Sequence, residues 1–390
     1  MESVIIVPDA EVWRADDAPG GVSLLERQMK QLRGLGFAPP LLLVAPDADP
    51  VLRSDLACAG IVHVSGSGAG AVLAGAIDAL PESFVFLTAD RLVDPRVLRT
   101  LAATSALTFA CGDDSQCEPV GRADSGDVRQ HGAALAEHAA RLSLRAIDPY
   151  VPELRGEATP YLFAVRSPSE RDRAWNVLLD HVQKRTLDLP GQYFDSPFEN
   201  FLVRRLAPTS VTPNQITILT LVVALGVGLL FLEGWLRTGV ALALLVGVLD
   251  GVDGKLARMK LQTSKLGELE HVGDFLYENF WYLALGTWFG HATGMAAYWW
   301  VGIFLVACDL TDSLLYLIVS RRTGRMLDEL TPFDTAFRRI AGRRNVYIMV
   351  LVAGCLVGAA STAFLVAAAW AGCTVAIHAV RAVAAQPATR

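Results

Sequence analysis

"LDGVDGKLARMKLQTSKLGELEHVGD", Leu249 to Asp274, sets Asp250, Asp253, Glu270 and Asp274 among apolar runs long enough to enter a membrane. Ionised acids are costly there and are kept for function. Asp250 and Asp253 are three residues apart, and Glu270 and Asp274 four apart, so on helices each pair shares one face. A hairpin turning through "MKLQTSKLG" brings the two faces to one small volume. Like charges in a low dielectric raise one another's pKa, and desolvation adds to the cost. One or two hard divalent cations relieve both, and Mg²⁺ or Mn²⁺ suits an all-oxygen donor set. A metal centre of this kind suits chemistry on phosphates. Gly251, Gly254 and Ala257 leave room for a bulky ligand against the same helix, and Arg258, two turns after Asp250, can bridge phosphate oxygens. Helix packing through small residues and a snorkelling Arg258 would explain the parts singly, but not the constellation.

Outward from this stretch, the 390 residues divide sharply. The chain is 52% hydrophobic, and the excess lies after Ile216, while residues 1 to about 200 have the composition of a soluble α/β domain. "MESVIIVPDAEVW" has no basic start and only a strand-sized apolar run, so the soluble half is expected to stay in the cytoplasm. Six spans are expected, at roughly 214–234, 237–257, 266–289, 294–320, 343–359 and 361–383. Basic residues set the orientation. Arg204 and Arg205 precede the first span, Lys255, Arg258, Lys260 and Lys265 follow the second, and Arg321, Arg322, Arg325, Arg338, Arg339, Arg343 and Arg344 follow the fourth. The opposite side carries only Arg237, which puts both termini and the acidic motif on the cytoplasmic face of the inner membrane. The net charge of −6 gives no sign of nucleic-acid binding, and the six cysteines, without metal-ligand spacing, are expected to be reduced.

Ahead of the first span, "SPFENFLVRRLAPTS" sets Phe198, Phe201, Leu202 and Leu206 against Arg204 and Arg205, which predicts a short helix along the membrane surface. Thr212 and Pro213 then supply a cap and a first turn.

Asp250, Asp253, Gly254, Ala257, Arg258 and Gly267 match, in residue and spacing, the signature of the CDP-alcohol phosphotransferases, which the chain resembles over about 212–383. The match breaks where that signature wants an aspartate and His271 stands; Glu270 is one residue early but keeps the four-residue step to Asp274. Glu270, His271, or Glu278 on the face of Asp274 could complete the site. The resemblance implies a metal pair on Asp250, Asp253 and Glu270, with Asp274 as a further ligand or as general base for the acceptor hydroxyl, and Arg258 stabilising the pyrophosphate as CMP leaves. It makes Asn214, Thr217, Gly251, Gly254, Ala257, Arg258 and Ser264 candidates for contacting the CDP portion. It also implies a homodimer, a CDP-alcohol donor and a polar alcohol or lipid acceptor. Arg321, Arg322, Arg338, Arg339, Arg343 and Arg344 could include an acceptor phosphate pocket or could be topology charges. Asp309 and Asp312 could line the cavity or pair with arginine, and His378 is expected to be a packing histidine.

In the soluble half, "VIIV", "PLLLVAP" and "FVFLTAD" alternate with helical patterns, which predicts a mostly parallel sheet flanked by helices. "GGVSLLERQMKQLRGLGF" and "FLTADRLVDPRVL" resemble segments of sugar-nucleotide and polyol-phosphate nucleotidyltransferases, the second carrying their metal-binding aspartate at Asp90. Yet Asp9, Glu11, Asp16 and Asp17 stand where triphosphate would bind, and Val22-Ser23 replaces the usual lysine; Arg14 alone is suggestive. The domains expected are a degenerate nucleotidyltransferase-like Rossmann-type α/β unit (1–196), a juxtamembrane segment (197–211) and a six-helix transmembrane domain (212–390). The function expected is a membrane phosphotransferase; a cytidylyltransferase/phosphotransferase fusion and a nucleotide-binding pseudoenzyme are the alternatives.

Overall fold

A computed structural model describes residues 1–7, 18–46, 57–112, 117–262 and 266–385, with only the backbone described at 117 and 266–271. The first half runs β1 (Glu2–Val7), α1 (Leu24–Gly34), β2 (Leu41–Val44), β3 (Gly60–His63), α2 (Ala69–Gly75), β4 (Ser83–Thr88), β5 (Arg91–Val93), α3 (Pro95–Ala103), β6 (Thr108–Cys111) and β7 (Cys117–Asp124). It continues through α4 (Ser125–His131), β8 (Ala140–Ser143), β9 (Tyr150–Val151), β10 (Gly156–Glu157), β11 (Leu162–Ala164) and α5 (Pro168–Val182). Seven strands form one sheet in the order β3-β2-β1-β4-β7-β6-β8.

The unbroken "VIIV" reads as apolar because both faces of β1 are covered. Ile5 and Val7 pack with Leu25, Met29, Leu32, Val97 and Leu101 of α1 and α3. Val4 and Ile6 pack with Val72, Leu73 and Val128 of α2 and α4. Strand periodicity thus sends alternate residues of one run into two cores. The sheet is less parallel than expected, because β7 runs antiparallel to both β4 and β6. Only a short connection separates β6 from β7, and a parallel return would need a long crossover.

This hairpin also corrects the expectation of reduced cysteines. Cys58, Cys308, Cys355 and Cys373 are free, but Cys111 is disulfide-bonded. Residues 111 and 117 are register partners across β6 and β7.

The second half is helical: α6 (Ser196–Leu206), α7 (Pro213–Leu232), α8 (Leu236–Lys260), α9 (Leu266–Thr293), α10 (Ala297–Thr323), α11 (Pro332–Arg338), α12 (Arg344–Leu356) and α13 (Ala360–Ala384). Helices occupy all six positions expected for spans. Among the described residues, three of them, α7, α10 and α13, are long and apolar enough to cross a membrane. The 13 residues of α12 rise only about 20 Å, short of a hydrocarbon core of roughly 30 Å. α7 begins as expected, with Thr212 and Gln215 forming a reciprocal capping box and Pro213 in the first turn. The helices bury Val227, Phe231, Val246, Trp281, Leu305, Leu351 and Phe364 together, while Ile218, Val222, Leu225 and Leu229 of α7 point outward.

The two halves share a third core. Leu24, Leu92, Phe163 and Leu178 of the soluble half pack with Val203, Ile216, Val248, Val252, Leu256 and Met259 of the helical half. The end of α8 is therefore buried against the soluble domain.

Candidate active site

α8 presents Asp250, Asp253 and Arg258 along its final turns, and four other elements meet them. Asp253 is 2% exposed and accepts a hydrogen bond from Thr217 Oγ1 of α7 at 2.9 Å. Asp250 pairs with Arg344 Nη2 of α12 at 2.5 Å. The same guanidinium reaches Glu278 of α9 at 3.1 Å and donates to the Tyr277 hydroxyl. Asp274 lies half-buried one turn before Glu278 on α9. One carboxylate from α8 and one from α9 thus meet across Arg344, which compensates both Asp250 and Glu278.

The stretch that leads into α7 supplies two further acids. α6 forms one residue earlier than expected and follows a π-helical turn, Gly191–Asp195. Phe198 and Phe201 are 52% and 57% exposed, but Glu199 turns inward. Its carboxylate pairs with the buried Lys255 at 2.8 Å, and Lys255 also donates to Asn200 Oδ1 at 2.7 Å. Asp195 accepts from Asn345 Nδ2 at 3.1 Å.

The family described as CDP-alcohol phosphatidyltransferase matches residues 210–377. The match falls on the helical half. The chain is accordingly a membrane transferase of the CDP-alcohol class. It is 26% identical over 398 residues to a protein of Rubrobacter xylanophilus named bifunctional IPC transferase and DIPP synthase, covering 88% of this chain and 86% of the relative. A Thermococcus kodakarensis protein of the same name is 37% identical over 107 residues, which is 26% of this chain and 24% of that one. Among solved structures, a Mycobacterium tuberculosis phosphatidylinositol phosphate synthase with CDP-DAG bound aligns over 48% of this chain and 93% of its own, at 16% identity and a TM-score of 0.38. The 2-C-methyl-D-erythritol 4-phosphate cytidylyltransferase of Thermus thermophilus aligns over 45% of this chain and 98% of its own, at 18% identity and a TM-score of 0.31.

Set against the family's signature, the structure brings together Asp250, Asp253, Gly251, Gly254, Ala257, Arg258 and Thr217, with Asn214 half-buried on the first turn of α7. Arg258 donates from Nε to Val182 O at 2.9 Å, and its guanidinium lies over Gly254. Ser264 and the side chains of Glu270 and His271 lie outside the described residues. Among those described, no group of three or more His, Cys, Asp or Glu side chains is gathered closely enough to hold a metal ion. The donors present, carboxylates on neighbouring turns, are of the hard-oxygen kind that Mg²⁺ or Mn²⁺ takes.

At Gly251 the space expected for ligand is taken by protein. A Cβ there would fall 2.0 Å from Glu199 Oε1. Gly251→Ala should therefore push Glu199 off Lys255 and cost about 1–3 kcal/mol, the usual range for overpacking. Unfolding of Gly251→Ala and of Gly251→Ala/Glu199→Gln measures it, and equal stability of Gly251→Ala and wild type would refute the contact.

Burial, then the neighbouring Glu199 and Asp188, push the Asp195 carboxyl up to about 7. Because the folded value lies above the unfolded one, the folded state keeps a proton that the unfolded chain has lost between about pH 4 and 7. Stability from this group is full below that window and declines as pH rises through it. Asp195→Asn should flatten the decline, and thermal melts at pH 5 and pH 8 that shift alike in variant and wild type would contradict this.

The other expected residues fall into structural pairs. Asp309 accepts from Asn279 Nδ2 at 2.9 Å, and Asp312 holds His378 Nδ1 at 2.5 Å; neither pairs with arginine in these bonds. Arg338 faces Asp328 at 3.2 Å and Asp188 at 3.6 Å. In the soluble half, Asp90 is 2% exposed and is bound by Arg91 at 2.7 Å and Arg166 at 2.5 Å. Those contacts suit a structural ion pair better than a metal ligand. Asp9, Glu11, Arg14, Asp16 and Asp17 lie outside the described residues.

Proposed function

We propose that the chain transfers a substituted phosphate from a CDP-alcohol to a polar acceptor of the inositol phosphate kind, releasing CMP, at the α8–α9 acids. The observation that supports this reading is that Asp250 of α8 and Glu278 of α9 share Arg344, while Asp253, one turn on from Asp250, is held by Thr217. Asp250, Asp253 and Asp274, with Glu270, would hold one or two Mg²⁺ or Mn²⁺ ions, which when bound supply charge neutralisation at the pyrophosphate. Asp274 accepts the proton of the acceptor hydroxyl as it attacks phosphorus. Arg258 faces the departing CMP and offsets the charge that develops on it. Arg338, Arg343 and Arg344 supply cationic character on the acceptor side.

The reading places both termini and the site on the cytoplasmic side of the inner membrane, on the strength of the arginine distribution. A homodimer follows from the family resemblance alone. The units are a soluble domain (1–196), a juxtamembrane segment (197–211) and a transferase domain (212–390).

A second reading, a fused cytidylyltransferase that makes the donor from CTP, is favoured by the alignment to the bifunctional Rubrobacter relative. The paired state of Asp90 favours a non-catalytic soluble domain instead. One assay separates them. The full-length protein given CTP and inositol phosphate should release no pyrophosphate, whereas given CDP-inositol and inositol phosphate it should form a phosphodiester and CMP. Pyrophosphate release that Asp90→Asn abolishes would establish the second reading.

A further inference from the structure

The last carbonyls of a helix need partners from outside its repeat, and α8 ends at Lys260 within the interface between the two halves. Its final turn closes with Leu261 in the left-handed region at φ 52, a conformation disfavoured for leucine. Gln262 N donates to Ala257 O at 2.9 Å, and Leu261 N to Arg258 O at 3.3 Å. Two carbonyls follow. Arg27 Nη2 of α1 donates to Met259 O at 2.7 Å, and Lys30 Nζ, one turn on, donates to Lys260 O at 3.3 Å.

The surroundings keep this arrangement in place. Arg27 is 3% exposed and also reaches Pro19 O at 3.5 Å, so it stands between the Gly-Gly turn and the end of α8. Gly21 has φ +66, and a Cβ on it would fall 1.8 Å from Ala207 O; the close approach of the two halves requires glycine there. Lys260 Nζ binds the carbonyls of Thr209 and Val211 at 2.7 Å each, which ties the capped end to the start of α7. Two cations at a helix C-terminus also complement its dipole.

We propose that Arg27, assisted by Lys30, is a positioning residue for the transfer reaction: α1 of the soluble domain is the C-terminal cap of the donor helix. The soluble half then serves the membrane reaction by holding Ala257 and Arg258 in place for the CDP moiety, without touching substrate. This rests on the transferase reading above. It gives the soluble domain a task that needs no nucleotidyl transfer.

The test uses full-length protein in detergent, with CDP as the probe of the donor site and hydrogen exchange at residues 257–262 as a readout independent of activity. Arg27→Met should speed exchange there and weaken CDP binding by about tenfold, a size typical of small misplacements at a site. Donor KM should rise by a similar factor with kcat little changed, and Arg27→Lys should recover most of the loss. Exchange and CDP affinity equal to wild type in folded Arg27→Met would overturn the proposal, as would a fall in kcat at unchanged donor KM. Should Arg27→Met fail to fold, Lys30→Met reads the same quantities: about a twofold to threefold loss of CDP affinity is expected, and no change overturns the proposal. Wild-type protein that neither binds CDP nor releases CMP would sink the transferase reading itself, a result distinguishable from failure of the cap because the wild type alone reports it.

Discussion

Asp253→Asn should lower CMP release by on the order of 100- to 1,000-fold while leaving the fold intact, the scale seen when one preorganised electrostatic partner is removed. Asp253 is buried on α8, and Thr217 Oγ1 donates to it at 2.9 Å. An asparagine of nearly the same shape can keep that hydrogen bond through its carbonyl oxygen. What it loses is the charge that a divalent cation would need. Kinetics and thermal unfolding of the same preparation check this together. Unchanged turnover in a folded variant would mean that Asp253 is a structural partner of Thr217 and no more.

Arg344→Met should cost about 3–5 kcal/mol of stability, because breaking a buried pair leaves an uncompensated charge. Arg344 lies between Asp250 at 2.5 Å and Glu278 at 3.1 Å, and its guanidinium sits 5.6 Å from the Tyr277 ring centre. Without it, two carboxylates share a poorly solvated space. Mn²⁺ should restore part of the loss by binding the freed acids, and Arg344→Lys should restore less than full stability because a point charge cannot copy the guanidinium fork. Denaturant unfolding in detergent, with and without Mn²⁺, provides the measurement. A variant as stable as wild type would show that other groups compensate these acids.

Much of this architecture was legible because its causes are local. "VIIV" is continuous where both sheet faces are covered, and Thr212-Pro213 announces a helix start through the chemistry of its cap. Asp250 and Asp253 share a helix face by spacing alone. Arg344 is different: it stands 94 residues from Asp250 in sequence, and a basic residue at a helix start reads equally as a topology charge. Glu199 was hidden for a related reason. Phe198 and Phe201 give α6 its exposed apolar face, while the burial of Glu199 arises from contact with Lys255 and Gly251, which no periodicity encodes. The bonded state of Cys111 depended on the β6–β7 register, and the reversal of β7 on the length of one connection. Soluble-half motifs pointed to Asp90 as a metal ligand, but its pairing with Arg166 comes from a residue 76 positions away.

The most direct test of the central claim is CMP release by the purified full-length protein from CDP-inositol in the presence of inositol phosphate, before and after metal is stripped with EDTA. The account predicts CMP and phosphodiester in equal amounts, loss of both on stripping, and recovery with Mg²⁺ or Mn²⁺ in wild type but not in Asp253→Asn. Release that continues after stripping, or that Asp253→Asn sustains at the wild-type rate, would contradict it.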